Sequence, residues 1–151
     1  MKNIIVLLIS LLFPLFAVNV FAMQHSHSHS IKTDCDINAG PCTKTIVHDN
    51  IQVILDINPK PVGPMTELLF SVILKEGARA VTDAKVGLDL TMPGMFMGVN
   101  RPVLSHVKDG RYEGKGVIPV CPHGGELWKA EVTVKRDGRS ATVSYFFEVN
   151  Q

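Results

Sequence analysis

Apolar and polar residues alternate along most of the chain from residue 45 onward. A period of two is typical of strands that face a core on one side and solvent on the other. No stretch has a convincing helical period. The alternating sets run from Ile51 to Ile57, Leu68 to Leu74, Val86 to Leu90, Tyr112 to Ile118, Leu127 to Val134 with a break of phase before Ala130, and Val143 to Val149.

Turn-forming residues separate these sets. They are Pro59 to Pro64, Glu76-Gly77, Asp109-Gly110, His123 to Gly125 and Asp137-Gly138. Short strands with regular turn signals indicate an all-β domain. We therefore predict an immunoglobulin-like antiparallel β-sandwich of about seven strands over residues 45–151. Trp128 is expected to be a core residue of this sandwich.

The strand order predicts which loops share an end of the sandwich. Antiparallel neighbours joined by short turns put alternate turns at opposite ends. The loops Met92–Arg101 and Cys121–Gly125 then lie at one end, and Asp109-Gly110 lies at the other. The Pro59–Pro64 connection would join the first two loops if the strands follow one another without crossing between sheets.

That shared end is rich in soft metal ligands. Met92-Pro93-Gly94-Met95 has Pro and Gly at the central positions of a type II turn, which would bring the two methionines close together. Met97 follows, and Cys121 and His123 come from the neighbouring loop. Thioether, thiolate and imidazole together suit Cu(I). The methionines could instead be apolar packing residues that close the sandwich.

Three cysteines allow at most one intrachain disulfide, which leaves one thiol over. We favour a Cys35–Cys42 disulfide, because the turn-rich spacer between them closes a short loop at little cost. The competing pair is Cys42–Cys121. That pairing would follow if a hairpin turn at Asp49-Asn50 carried residues 43–48 toward the end that holds Cys121.

Residues 1–22 resemble a secretory signal peptide. Lys2 precedes an apolar run from Ile4 to Val18, and Val20 and Ala22 occupy the small-residue positions of a cleavage site. Cleavage after Ala22 would give a periplasmic or secreted protein. The alternative is an uncut N-terminal membrane anchor, for which the run is short.

The segment after the cleavage site carries regularly spaced histidines. Cleavage would leave His25 third from a free amine, with His27 and His29 following. The amine, two backbone amides and the His25 imidazole can bind one Cu(II) or Ni(II) in a square plane, and Cu(II) is the ion we expect. Weak adventitious metal binding is the alternative. Residues 23–44 are expected to be a flexible His-rich and Cys-containing segment.

The charge of the chain limits the classes of partner. It has 15 Lys and Arg residues against 14 Asp and Glu residues, and removal of Lys2 with the signal would leave 14 against 14. A net charge of zero argues against nucleic acid or an anionic membrane as the main partner. We expect a metal ion as ligand and, as a second possibility, a membrane or secreted protein partner.

Three sequence segments form a recognisable set: Leu88–Met95 with its Met-Pro-Gly-Met turn, Gly110–Glu113 with Gly-Arg-Tyr, and Leu127–Val132 around the tryptophan. Together they resemble the YtkA-like domain family, which is related to the extracytoplasmic part of FixH-type proteins. The resemblance covers about residues 45–149. It implies an immunoglobulin-like sandwich outside the cytoplasm, without catalytic activity, that is often associated with metal handling or respiratory-enzyme assembly.

The sequence offers little support for an enzyme. It contains neither a Gly-x-Ser-x-Gly nor a His-Glu-x-x-His motif, and Cys121 with His123 lacks an identifiable third group. We expect a small exported metal-binding protein, for copper above other metals, that acts as a carrier, buffer or delivery factor. The alternative is a non-catalytic extracytoplasmic interaction module that assists assembly of a membrane or respiratory complex.

Overall fold

A computed structural model describes residues 31–150 of the chain. These residues form nine strands and a short 3₁₀ turn at Val47–Asp49, with no α-helix in that range. The strands are β1 Cys42–Ile46, β2 Ile51–Asn58, β3 Leu68–Glu76, β4 Arg79–Ala80, β5 Lys85–Thr91, β6 Ser105–Lys108, β7 Arg111–Gly116, β8 Leu127–Arg136 and β9 Arg139–Glu148.

The strands form two antiparallel sheets. One has the order β1-β2-β3-β7-β6, with β4 paired to β3, and the other has the order β5-β8-β9. The predicted all-β antiparallel sandwich is therefore confirmed. The four strands β2-β3-β7-β6 opposite the three strands β5-β8-β9 reproduce the four-plus-three arrangement of a constant-type immunoglobulin domain. Strands β1 and β4 are additions to those seven.

The core lies between the two sheets, where large side chains alternate inward. Trp128, Tyr145, Phe70 and Phe147 each have 0% exposure. The prediction of Trp128 as a core residue is thus confirmed. The predicted break of phase in β8 is wrong, because the inward series begins at Trp128 and continues unbroken to Val134. The indole, not Leu127, is the first core residue of that strand.

Two tyrosine hydroxyls hold neighbouring elements together inside the protein. The Tyr145 hydroxyl in β9 donates to the Val53 carbonyl of β2, 2.7 Å away, and so joins the two sheets. The Tyr112 hydroxyl donates to the Val81 carbonyl at 3.1 Å and accepts from the Ala84 amide at 3.2 Å. Burial raises the pKa of both hydroxyls, so they keep the proton that each bond requires.

The folded domain begins earlier than its predicted start at residue 45. Strand β1 starts at Cys42, and Cys35 and Ile37 are 7% and 1% exposed. These residues were not predicted to belong to the domain, because a short polar strand next to a turn has little periodic signal. Strand β6 was missed for the same reason, since all four of its residues are exposed.

The segment before β1 crosses from one sheet to the other. The Asp34 and Cys35 amides both donate to the Phe146 carbonyl in β9, and the Phe146 amide donates to the Asp34 carboxylate. A disulfide then joins Cys35 to Cys42 at the start of β1, with 5.7 Å between the Cα atoms. The favoured disulfide is confirmed, and the Cys42–Cys121 alternative is wrong.

Candidate functional site

Three loops meet at one end of the sandwich, although the chain crosses between the two sheets. Residues 59–67 join β2 to β3, residues 92–104 follow β5, and residues 117–126 cross from β7 to β8. The Met65 amide donates to the Ile118 carbonyl at 2.8 Å, which ties the first loop to the third. We call this the methionine end. The turns at Asp109-Gly110 and Asp137-Gly138 lie at the opposite end.

The Met92–Met95 segment forms the expected turn. The Met95 amide donates to the Met92 carbonyl at 3.1 Å, and Gly94 has a φ of +80°. A positive φ at the third residue of the turn is the signature of type II and favours glycine there. The turn holds Met92 at 7% exposure and leaves Met95 partly buried against the core.

Three sulphur atoms converge beside this turn. The Cys121 thiol lies 3.6 Å from Met95 Sδ, in donor geometry. A Cβ atom placed on Gly125 would lie 3.1 Å from Met92 Sδ and 3.3 Å from Cys121 Sγ. We call Met92, Met95 and Cys121 the sulphur cluster. Its thiol is buried, since Cys121 is 3% exposed.

The sulphur cluster lines an open pocket at the protein surface. The pocket has a volume of about 290 Å³, and His123, Glu126 and Leu127 complete its wall. His123 is exposed, so its imidazole lies at the solvent side of the pocket. Met97 packs against the core and does not line the pocket. Of the five ligands predicted at this end, the structure brings four to one pocket.

The donor set of this pocket is unusual. No group of three His, Cys, Asp or Glu side chains suited to a metal ion occurs within residues 31–150. The cluster instead combines two thioethers with one thiol, a soft set that favours Cu(I) over hard or borderline ions. A site of this kind could bind a monovalent metal ion without oxygen ligands.

Gly125 contributes to the pocket in a way that sequence reasoning did not identify. The sequence pattern places Gly125 only in a turn. In the structure its missing side chain leaves the space that Met92 Sδ and Cys121 Sγ face. The neighbouring Gly124 has a φ of +70° and no atom within 4 Å of an added Cβ. Gly124 is thus favoured by its backbone conformation, and Gly125 by the space that the pocket needs.

A carboxylate and a lysine fasten the 59–67 loop at the methionine end. Lys60 Nζ lies 2.9 Å from Asp56 Oδ1 and also donates to the Ile37 carbonyl. Partial burial raises the pKa of Asp56, but hydrogen bonds from Lys60 and Asn58 outweigh it and hold the pKa below its usual 3.8. This cluster links the N-terminal segment to the loop.

A second pocket at the opposite end is charged but internally paired. It has a volume of about 220 Å³ and an aliphatic floor. Arg139 lies 2.8 Å from Asp49, and Arg136 lies 3.1 Å from Glu76. Hydrogen bonds from Arg79 and Arg136 lower the pKa of Glu76. The hydrogen bonds that Arg136 donates to Glu76 and Asp83 raise the pKa of Arg136. These charges stabilise one another.

The predicted N-terminal ligands lie outside the described residues. These are His25, His27 and His29, and the predicted signal peptide of residues 1–22 lies outside them too. The structure therefore describes the point at which the His-rich segment joins the domain, at residue 31, but not the segment itself. Within residues 31–150, no helix has the length and apolar character needed to cross a membrane.

Among known proteins, the chain has a match in fold but none in sequence. No family model matches it, and no curated protein matches its sequence. Its fold is similar to part of the crystal structure of a DUF4785 family protein from Legionella pneumophila, with a TM-score of 0.50 and 16% identity. The match covers 67% of this chain and 28% of the other, so the chain spans little more than a quarter of that protein's length.

Proposed function

We propose that the protein is an exported copper-binding carrier, buffer or delivery factor that holds Cu(I) at the methionine end. The convergence of Met92, Met95 and Cys121 on one pocket is the observation that carries this proposal. The predicted signal peptide and the sequence resemblance to the YtkA-like domain support a location outside the cytoplasm. No catalytic step is proposed for this site.

The character of the pocket fits a carrier. Thioethers are neutral and bind Cu(I) without the loss of a proton, while the thiol would bind as a thiolate and neutralise the charge of the ion. The pocket is open at its surface, while Met92 and Cys121 are buried and Met95 is partly buried. A metal ion could therefore enter and leave while the domain stays folded. A carrier needs this property to transfer its ion to an acceptor.

The metal content of the natural protein tests this proposal. Protein without an affinity tag should be purified from its native compartment, and its copper, zinc and nickel content should be measured. We expect copper in substoichiometric to equimolar amount. It should fall in a Met92→Leu/Met95→Leu variant prepared in parallel. Equal copper in both proteins, or none in either, would contradict a copper-binding role for the cluster.

Exposed apolar side chains favour a second candidate function, an interaction module that docks on a protein partner. Large apolar side chains at the methionine end are 41% to 86% exposed: Met65, Phe96, Val99, Val103, Val117 and Val120. Apolar groups concentrated at one end of a domain mark binding surfaces. A photocrosslinker at Phe96 should give a discrete protein adduct in the native compartment, and one at Val47, 81% exposed at the other end, should not.

A further inference from the structure

We propose that two copies of this chain pair face to face at the methionine end and cover the metal pocket. The contact is made by an apolar surface whose five side chains are 41% to 86% exposed: Met65, Phe96, Val99, Val117 and Val120. The paired form shelters a bound Cu(I) ion, and the single chain releases it. This last step rests on the proposed function, whereas the pairing of the two chains requires no metal ion.

Hydrogen bonds between the three loops hold the apolar surface together. The Asn100 side chain donates to the Val117 carbonyl at 2.9 Å, and the Met65 amide donates to the Ile118 carbonyl at 2.8 Å. In the third loop Ile118 is buried, while Val117 and Val120 are exposed on either side of it. The exposed side chains of the three loops are therefore neighbours, and the loops present them as one area.

The backbone of Met65 indicates that its exposed side chain has a use. Among the described residues, the other non-glycine positions with a positive φ are Asn50, Asp109 and Asp137, the residue types that tolerate this conformation best. Met65 has a φ of +55° and is 68% exposed. Strained residues of this kind cluster at functional sites. Packing within one chain does not explain a methionine at this position, because its side chain is mostly in solvent, whereas contact with a partner does.

The apolar surface borders the mouth of the metal pocket. Phe96 directly follows Met95 and Val120 directly precedes Cys121, and Met95 and Cys121 both line the pocket. The Phe96 side chain is 86% exposed, so it projects into solvent beside the mouth. A second copy that packs on this surface therefore covers the open side of the pocket.

The charges around the apolar surface suit a second copy better than a lipid bilayer. A two-fold contact places the same groups of two chains opposite each other, so it requires a surface without excess charge. Glu67 pairs with Lys115 at 2.7 Å, and Asp89 pairs with Arg101 at 2.7 Å. Glu67 lies two residues after Met65, so its ion pair is at the edge of the apolar surface. An ion pair is common in the rim of a protein interface but is costly in a bilayer.

The size of the apolar surface predicts a reversible dimer. Five apolar side chains of this kind bury on the order of 300 Å² in each chain. With a polar rim, two copies bury on the order of 1,000 Å² in total, which is near the lower limit of a specific interface and well below that of an obligate dimer. The fraction of paired chains therefore rises with protein concentration, and the retention of copper rises with it.

Sedimentation equilibrium of untagged protein from its native compartment tests the pairing. A copper chelator is present, so that a dimer bridged by metal does not count. We expect a monomer–dimer equilibrium between about 10 µM and about 1 mM protein. Phe96→Ser should weaken the association about tenfold or more. Val47→Ser is the matched control, because Val47 is 81% exposed at the other end, and it should leave the association unchanged.

Met65→Asn separates a role in pairing from a role in folding. Asparagine tolerates a positive φ better than methionine, so the free energy of unfolding should stay the same or rise. The loss of an apolar side chain from the interface should weaken the association about fivefold or more. If Met65 served only the fold of its own chain, this change would lower the free energy of unfolding and leave the association unchanged.

The shelter of the ion is measured as the rate at which Cu(I)-loaded protein loses copper to a chelator. We expect this rate per chain to fall severalfold from about 10 µM to about 1 mM protein, and to stay constant in Phe96→Ser. A constant rate in a wild type that does pair would overturn the shelter. A protein that pairs but binds no Cu(I) would overturn the proposed function and leave the pairing intact.

Three results would overturn the pairing itself. The first is a wild type that remains monomeric at about 1 mM. The second is a dimer that Phe96→Ser does not weaken, because its contact would then lie elsewhere. The third is a monomeric protein that floats with phosphatidylcholine vesicles and loses this property in Phe96→Ser, because lipid would then be the occupant of the apolar surface.

Discussion

The thiol of Cys121 lies 3.6 Å from the thioether sulphur of Met95, although 26 residues separate them in the sequence. The contact depends on two features of the sandwich. The type II turn fixes Met95 after β5, and the crossing from β7 to β8 brings Cys121 to the same end. The strand order therefore brings together two soft ligands, Met95 and Cys121, that lie far apart in the sequence.

Gly125 offers a direct probe of the cluster. A Gly125→Ala change would place a methyl group 3.1 Å from Met92 Sδ and 3.3 Å from Cys121 Sγ, so these atoms must move by a few tenths of an ångström. We expect Cu(I) affinity to fall about tenfold at a cost of about 1 kcal/mol in the free energy of unfolding. Chelator competition and urea unfolding measure the two quantities.

Gly124→Ala is the matched control for that change. Its φ of +70° strains an alanine, but nothing lies within 4 Å of the added methyl group. It should therefore destabilise the domain by about 1 kcal/mol while Cu(I) affinity stays the same. An equal loss of affinity in the two variants would mean that general loosening of the loop, not crowding of the sulphur atoms, explains the effect.

The Cys35–Cys42 disulfide should stabilise the domain as a short covalent loop. Closure of about eight residues corresponds to about 2.5 kcal/mol of unfolding free energy in the chain-entropy model. The double variant Cys35→Ala/Cys42→Ala should lose about that amount in urea unfolding. In unreduced protein, trypsin should release residues 33–44 as one peptide, two hydrogens lighter than its reduced form. A crosslink to residues 116–129 would contradict the assigned pairing.

The Asp56–Lys60 pair predicts a defined pH dependence. The pKa of Asp56 is lower in the folded protein than its usual 3.8, so the unfolded chain binds more protons in acid. The stabilisation is therefore fully present above about pH 4 and is lost as the pH falls through the folded pKa. Asp56→Asn should cost about 0.5–1 kcal/mol at pH 7 and less near pH 2. An equal cost at both values would rule out the ionic contribution.

The sequence predicted the sandwich well where one face of a strand is buried. Strands β2 and β3 have continuous inward series, so their period-two pattern is unmistakable. Strands β1 and β6 escaped prediction because their contacts are set by neighbouring strands and not by their own apolar residues. The same limit explains why Ile37, alone among polar neighbours, gave no sign of its burial.

The candidate site was predictable in its ligands but not in its shape. Turn chemistry placed Met92 and Met95 together, and strand parity placed Cys121 beside them. Met97 does not line the pocket because its side of an irregular loop faces the core, and no periodic sequence pattern predicts this. The role of Gly125 depends on space left by an absent side chain, which becomes visible only in three dimensions.

Competition for Cu(I) in a protein lacking residues 23–30 tests the central claim most directly. The variant Met92→Leu/Met95→Leu keeps the apolar volume at a cost usually under about 1.5 kcal/mol, so the sandwich should stay folded. The matched control is Met65→Leu/Met97→Leu, which changes two methionines of the same end that do not line the pocket. We predict a sharp loss of Cu(I) affinity in the first variant and none in the second. Unaltered competition in the first variant would contradict the account and leave Met92 and Met95 as packing residues.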